Sequence, residues 1–249
     1  MAKTKISEYD ATAANNTDID SISIAEGMLP SNVNNALREL MAHLKDMDAG
    51  TQALTSPQLT SVDINGGTID GITTLSTSTS GTSNFIAGVN AGNSIASGGN
   101  YNVVVGDEAG TAISTGDANT AIGYAALDAL DTGINNTTVG WSSGGALTQG
   151  TRNTAIGYAS LDADTLGSRS TALGYSALGV QNFTTATDSY NVAVGHEAGA
   201  AVTTGINNTL IGALAGDALT DADKNVAVGQ RALGGDTLGS KSTAIGTDA

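Results

Sequence analysis

A short apolar phrase recurs through the last two thirds of the chain. It reads NTAIG, NVAVG or STALG, so that a triplet of small or apolar residues precedes a glycine. Aligned on that glycine, ten copies stand at Gly88, Gly106, Gly123, Gly140, Gly157, Gly174, Gly195, Gly212, Gly229 and Gly246. Successive copies stand seventeen positions apart, except for a first step of eighteen and one later step of twenty-one. Internal repeats of this regularity predict a solenoid.

The length and composition of one repeat indicate β-structure. Seventeen residues are too few for the helical repeat families, which need at least about 33. The apolar triplet is bounded by Asn and Gly, as a short strand is, and the remainder, such as SSGGALTQGTR, predicts a second and weaker strand. One repeat is therefore expected to form one coil, strand–turn–strand–turn. Successive coils would lie about 4.8 Å apart and pair in parallel.

The triplet has no polar face. Val103–Val105, Thr120–Ile122 and Val192–Val194 carry apolar or small residues at all three positions. Successive residues of a strand point to opposite faces, and a strand that is apolar on both faces is buried on both. A coil has only one interior, so something else must cover the other face, and close association of identical coils around a common axis would do so. The small central residues would allow close approach; we expect a homotrimer, with a dimer as the alternative.

Residues 1–50 differ in texture from the repeats. An amphipathic helix is predicted over 31–48, with Ser31 or Asn32 as its cap and Gly50 after its last turn. Its apolar residues alternate at spacings of four and three, which is a heptad seam: Val33, Leu37, Leu40, Leu44 and Met47. The seam packs either in an ordinary core or in a short symmetric bundle of copies of the chain, where it would be the trimer helix seam.

Residues 51–83 are rich in Thr, Ser and Gly. They contain β-prone pieces such as TSVDI and GITTL and the turn sequence Asn65-Gly66-Gly67. A stalk-like connector is the favoured interpretation, and a flexible linker is the alternative. The repeats then occupy 84–249.

The recurring phrase N-[TV]-A-[IV]-G-x-x-A-[LG] resembles the head repeats of trimeric autotransporter adhesins, YadA-like heads. The resemblance covers about two thirds of the chain. It implies a mainly β fold, a left-handed parallel β-roll solenoid of about ten 17-residue coils, homotrimeric. An export signal and a C-terminal membrane anchor of that family are not found in the sequence.

Residues 1–50 instead resemble the start of many tailed-bacteriophage fibre and tail proteins, and SVDINGGTIDGITTL is similar to connector phrases in the same proteins. This resemblance implies a segment that attaches the appendage to the virion. It also implies synthesis in the host cytoplasm and a final location on the phage tail.

Composition and charge exclude several classes of partner. The formal net charge is −15, from 24 acidic and 9 basic residues. An acidic chain does not form the basic stripe that nucleic acid requires, and it does not favour anionic membrane surfaces. No apolar run approaches the length of a membrane-spanning helix, about 18 residues, so no membrane insertion is expected. The absence of cysteine excludes disulfides and zinc–thiolate sites.

No catalytic constellation is found. His196 follows Gly195 in a column that elsewhere holds Tyr, Asp or Gln, which is a poor position for a general base and favours a surface turn residue. Asp107, Glu108 and Glu197 are carboxylates of the kind that hydrolyse glycans, but the repeat sets their spacing. The acidic stretch 217–225 lacks the Gly and final Glu of an EF-hand loop. We predict no catalytic, cofactor-binding or metal-binding residues, and no cofactor.

An asparagine precedes the glycine by four residues in most copies. This column holds Asn84, Asn102, Asn119, Asn136, Asn153, Asn191, Asn208 and Asn225, with Ser170 and Ser242 in the remaining two copies. Asn suits turns, and its amides can stack as a ladder between coils. Turn closure is the favoured role, and a row of amides that binds a ligand is the alternative.

The residue after the glycine is aromatic on four consecutive coils, at Tyr124, Trp141, Tyr158 and Tyr175. Such a ladder either packs between copies of the chain or offers a platform to sugar rings. The longest step, from Gly174 to Gly195, carries four extra positions around 179–190. An insertion in a solenoid predicts a loop, and this one carries Phe183, either exposed or tucked in.

These features predict a structural virion protein, a trimeric tail fibre or appendage. Its partners would be copies of itself, phage tail proteins through residues 1–50, a further fibre or tip protein at the C-terminal end of the roll, and host surface glycans. The roll reaches Ala249 within a repeat, so either that protein docks there or the chain continues. A bacterial surface adhesin of the trimeric autotransporter type is the alternative, and a glycan depolymerase is the third.

Overall fold

The computed structural model describes residues 18–19, 22–23, 37 and 79–249. The chain divides into one unit within residues 1–70 and a second within 71–249. In the first unit, strands β1 (Asp18–Ile19) and β2 (Ile22–Ser23) pair antiparallel, and Leu37 is helical with an exposed side chain. The rest of the predicted helix, with Val33, Leu40, Leu44 and Met47, lies outside the described residues, as does the connector before residue 79. These assignments stay predictions.

The second unit is a parallel β-solenoid with a repeat of seventeen residues in most coils, as the sequence predicts. Ten strands form one sheet: β3 (Phe85–Ala87), β4 (Val103–Val105), β5 (Thr120–Ile122), β6 (Thr137–Val139), β7 (Thr154–Ile156), β9 (Thr171–Leu173), β11 (Val192–Val194), β12 (Thr209–Ile211), β13 (Val226–Val228) and β14 (Thr243–Ile245). Each pairs in register with the equivalent strand of the next coil, so that Ala121 faces Thr138 and Thr138 faces Ala155. The apolar triplets are these strands.

The predicted second strand is wrong for most of the coils. The residues between one triplet and the next form turns instead, and residues such as Ala125 and Leu127 have a φ of 51°. A left-handed residue cannot continue an extended strand, and two in one turn exclude it. Among the described residues, two short strands stand outside the ten-stranded sheet of the solenoid: β8 (Gly167–Ser168), in the step from Gly157 to Gly174, and β10 (Thr187–Asp188), in the longest step, pair in parallel.

The central residue of each triplet points into the coil. Ala121, Thr138, Ala155, Ala172 and Ala193 have no exposed surface, whereas the residues on either side of each are partly exposed. This residue is small in most coils, but Val104 and Leu210 are fully buried in the same column, so the interior also accommodates larger side chains. The prediction that it allows close approach between copies of the chain is wrong, because it lies on the inner face.

Besides a small buried residue three positions after the glycine, such as Ala126, the remaining core comes mainly from two positions in the turn, four and seven residues after the glycine. Where the first is glycine the second is aliphatic, as in the pair Gly144 and Leu147. A Cβ at Gly144 would lie 3.1 Å from a methyl of Leu147, so the two positions share one space. Where the first is Leu161 the second is polar, Asp164, and the coil that follows Gly123 carries leucine at both positions. The interior of most coils thus holds one large aliphatic side chain from the turn.

Candidate interaction surfaces

The asparagine column is a structural ladder. The backbone N–H of Asn136 donates to Oδ1 of Asn119 at 2.9 Å, and its own Oδ1 accepts from the N–H of Asn153 at 2.9 Å. Its Nδ2 donates to the carbonyl of Gly150 at 2.8 Å. These side chains are buried, so their amides satisfy backbone groups that water cannot reach. Turn closure is therefore what the column does, and its amides are not turned outward to a ligand.

The ladder changes chemistry at Ser170. The N–H of Ser170 still donates to Oδ1 of Asn153 at 2.9 Å. Serine has no side-chain amide, however, so it cannot make both of the hydrogen bonds that an asparagine makes to the next coil and to the turn. Gln181 replaces the amide: its Nε2 donates to Oγ of Ser170 at 2.9 Å, and its Oε1 accepts from Nδ2 of Asn191 at 2.8 Å. A glutamine from the turn thereby carries the network across the longest step of the repeat.

Asp164, in the preceding coil, is hydrogen-bonded to this network through Gln181. Its carboxylate accepts from Nε2 of Gln181 at 2.6 Å and from the N–H groups of Gly167 and Phe183 at 3.0 and 3.1 Å. Burial raises the pKa of Asp164, and the hydrogen bonds from Gln181, Phe183 and Gly167 offset only part of that effect. The group closes the coil and faces the interior, which makes it a structural carboxylate.

The outward face of the ten-stranded sheet is an apolar stripe. It consists of the first and last residues of each strand. The last residue is Val, Ile, Leu or Ala, the first is Thr in six strands and Val or Phe in the other four, and none of them is charged. Ile122 and Leu173 are 37% and 42% exposed in the single chain. Ten strands spaced about 4.8 Å apart make the stripe roughly 45 Å long. An uncharged stripe of this length on a chain of net charge −15 marks a contact surface.

An aromatic ladder borders this stripe where the strands end. We define it as Tyr124, Trp141, Tyr158, Tyr175 and His196. Successive ring centroids are 6.0, 4.7, 5.4 and 5.0 Å apart, and the planes are within 13° of parallel. The sequence predicts the first four rings but not the fifth. The position of His196 directly after Gly195 is the signal that it continues the column.

The rings of the ladder present their edges to solvent. Each inner ring is covered on both faces by its neighbours, while Trp141 remains 46% exposed. Sugar rings stack on aromatic faces, and the inner rungs have none to offer. The phenol oxygens of Tyr124, Tyr158 and Tyr175 make no hydrogen bond to any described residue of the same chain. Edge contacts and hydrogen bonds to these oxygens are therefore what this surface can provide.

The carboxylates considered for glycan hydrolysis do not come together. Asp107 Oδ1 accepts from the N–H of Val89 at 3.0 Å, on the second coil. Glu197 lies five coils further on, roughly 24 Å along the stack at about 4.8 Å per coil. Its Oε2 is 3.6 Å from Nδ1 of His196. Glycosidase carboxyl pairs are about 5 to 9.5 Å apart, so Asp107 and Glu197 do not form one.

Phe183 is tucked in, with 6% of its surface exposed. The acidic stretch 217–225 places Asp223 against the neighbouring coil, where its Oδ1 accepts from the N–H of Ile206 at 2.8 Å. Across the described residues, no three His, Asp or Glu side chains converge as a metal site requires. The described part also contains no helix with the length and apolar character to cross a membrane.

Comparisons with models of protein families, with curated proteins and with solved structures found no match. The surfaces of the solenoid therefore carry the functional argument.

Proposed function

We propose that this chain is a structural virion protein, a homotrimeric bacteriophage tail fibre or appendage. In this proposal residues 1–50 attach it to the tail, the connector spaces it from the tail, and the solenoid is a stiff shaft that displays a host-recognition surface. A further fibre or tip protein adjoins the last coil. The resemblances of the repeat phrase and of residues 1–50 support this assignment.

The observation that carries the proposal is the outward apolar stripe. Both outward residues of every strand lack charge, and Ile122, Leu173 and Ile211 are more than a third exposed in the single chain. Each such side chain contributes on the order of 1.5–3 kcal/mol when it is fully buried. Because the stripe runs the length of the sheet and the coils stack in register, copies that share an axis parallel to the stack bury it over its whole length.

The interior of the coil supports a mechanical role. Every coil is bonded to the next through three backbone positions and through the buried amide ladder or its substitute at Ser170. Neighbouring coils therefore cannot slide or separate without breaking several buried hydrogen bonds together. A rod of this kind transmits force along its length, which a receptor-binding appendage requires.

The test is the mass of the protein in solution, by sedimentation equilibrium or native mass spectrometry. The full chain is expected to be a trimer, and Leu173→Glu, which places a charge on the stripe, is expected to dissociate it. Val180→Glu is the matched control, since Val180 is 47% exposed but lies off the sheet. A full chain that is monomeric at micromolar concentration contradicts the proposal. Antibodies to the solenoid should also label the tails of purified virions.

A further inference from the structure

The corner that leads into each strand is held in a left-handed conformation. The residue five before the glycine has φ between 52° and 65° in all ten copies, for example 59° at Arg152 and 65° at Arg169. Asn and Gly tolerate this conformation, but only Asn135 and Asn207 are of that kind. Most of the others hold a longer side chain there against a steric penalty.

This corner also gathers the positive charge of the solenoid. The repeats contain five Lys and Arg residues, and four of them occupy this column: Arg152, Arg169, Lys224 and Lys241. We call these four residues the basic edge. The rest of the repeat region is acidic, so these four residues form a local row of positive charge along one edge of the sheet.

The basic edge and the aromatic ladder lie on opposite sides of the apolar stripe. Arg152 comes just before strand β7 and Tyr158 just after it, and Arg169 and Tyr175 flank β9 in the same way. Because the strands are parallel and in register, each edge runs straight up the stack. On the coils of Arg152 and Arg169 the stripe is therefore bordered by a cation on one side and by a tyrosine ring on the other, whereas the coils of Lys224 and Lys241 carry Gln230 and Thr247 on the exit side.

Threefold symmetry brings unlike edges together. If three stripes face an axis parallel to the stack, each copy presents the entry side of its strands to the exit side of its neighbour's strands. Rotation does not change height, so a residue meets the same coil of the neighbour. Arg152 then lies opposite Tyr158, and Arg169 opposite Tyr175.

We infer that Arg152 and Arg169, the two residues of the basic edge that share coils with the aromatic ladder, pack against the ladder of the next copy, with the Arg152 guanidinium donating to the phenol oxygen of Tyr158 in that copy. Both groups are free for this contact within the described residues of one chain, because neither has an ion-pair or hydrogen-bond partner there. Arg169 is already held by Asp188 at 2.9 Å and lies over the ring of Tyr190, so it presents a fixed cation one coil above. The inference rests on the proposed trimer and specifies which surfaces meet in it.

Cysteine pairing tests the contact, since the chain contains no cysteine of its own. The double variant Arg152→Cys with Tyr158→Cys, oxidised so that disulfides form, is expected to give a covalent trimer on a denaturing gel. Each single variant should remain at monomer mass. The matched control pairs Arg152→Cys with Tyr124→Cys, which lies two coils lower. That offset adds roughly 10 Å at about 4.8 Å per coil, beyond the Cα separation of about 4.4–6.8 Å that a disulfide spans.

The outcomes separate the inference from the proposed function. A trimer by mass whose Arg152–Tyr158 pair does not cross-link, or cross-links no better than the Arg152–Tyr124 pair, overturns the contact and leaves the trimer standing. Cross-linking that ends at dimer refutes the threefold arrangement. A chain that is monomeric by mass removes the basis for both.

Trp141 supplies a second measurement, because it is the only tryptophan of the chain and stands in the ladder. Acrylamide quenching of its fluorescence should be about two-fold weaker in the trimer than in the dissociated Leu173→Glu variant, since interface packing excludes solvent. Equal quenching in the two states shows that the ladder faces solvent in the assembly and contradicts the inference.

Discussion

The coils between Asn102 and Asn153 and the coil between Ser170 and Asn191 close the same fold with different side chains. In the first, one asparagine per coil bonds the coil before it and the turn after it. In the second, Ser170 and Gln181 share that work with the buried Asp164 of the coil before it. The comparison shows that the solenoid requires satisfied buried hydrogen bonds at this corner, whichever residues provide them.

The irregular coil differs in cost as well as in composition. A neutral amide satisfies buried N–H and C=O groups without bringing charge into the interior, whereas Asp164 is a carboxyl whose pKa is raised by burial. Two residues of the longest step, Gln181 and Phe183, donate to that carboxyl from the next coil. Four substitutions separate these features: one changes the glycine that both kinds of coil share, one changes the asparagine of the regular coils, and two change residues that close the irregular coil.

The glycine after each strand is common to both kinds of coil, and its replacement should have the largest effect. In Gly140→Ala the new Cβ would lie 2.4 Å from the carbonyl oxygen of Gly157, at a φ of +139° that L-residues avoid. We expect a loss of at least about 3 kcal/mol in unfolding free energy. Urea unfolding at fixed protein concentration measures it. Gly235→Ala, where nothing lies within 4 Å of the new Cβ, should change stability by less than about 1 kcal/mol. Equal losses in the two variants would contradict the close coil-to-coil approach.

Asn136→Ala tests the regular ladder. It removes the acceptor for the N–H of Asn153 and the donor to the carbonyl of Gly150, and both groups are buried. Two unsatisfied groups at about 1–3 kcal/mol each predict a loss of about 3 kcal/mol. Asn135→Gly, at the exposed left-handed corner next to it, is the control and should stay within about 0.5 kcal/mol. If Asn136→Ala is as mild as its control, the ladder does not stabilise the stack.

How much of this can be derived from the sequence depends on whether the signal is periodic. The ten strands, their parallel stacking and the asparagine ladder follow from columns that repeat in phase. The turn in place of a second strand does not, because left-handed residues such as Leu127 and Leu161 carry no compositional mark. The role of Gln181 does not follow either, because this glutamine occurs once and lies far along the chain from the serine that it bonds.

Gln181→Leu tests the substitute network and should have an intermediate effect. It removes the donor to Oδ2 of Asp164 and the acceptor for Nδ2 of Asn191. Asn191 keeps its bond to the carbonyl of Gly205 at 2.7 Å, so only part of the corner is lost. We expect a loss of about 2 kcal/mol at neutral pH. Thermal unfolding of Gln181→Leu should be compared with that of Asn182→Leu, which changes an exposed neighbour; a similar melting temperature for the two would show that Gln181 does not bridge the coils.

The smallest effect is expected from the charge on Asp164, and it appears as a dependence on pH. Since burial raises the pKa of Asp164 in the folded protein, the folded state holds the proton more tightly than the unfolded chain. Stability contributed by this group is therefore full below the unfolded pKa, falls as pH rises through the folded pKa, and is constant above it. The slope in that window is at most about 1.4 kcal/mol per pH unit. Asp164→Asn should remove it, so the stability of the wild type relative to the variant should decrease from acid to neutral pH. Asp236→Asn, in the second DTLG sequence, is the control and should leave the slope in place. If the unfolding free energies of wild type and Asp164→Asn depend on pH in the same way, the buried charge of Asp164 does not destabilise the fold. The two kinds of coil would then differ in geometry but not in electrostatic cost.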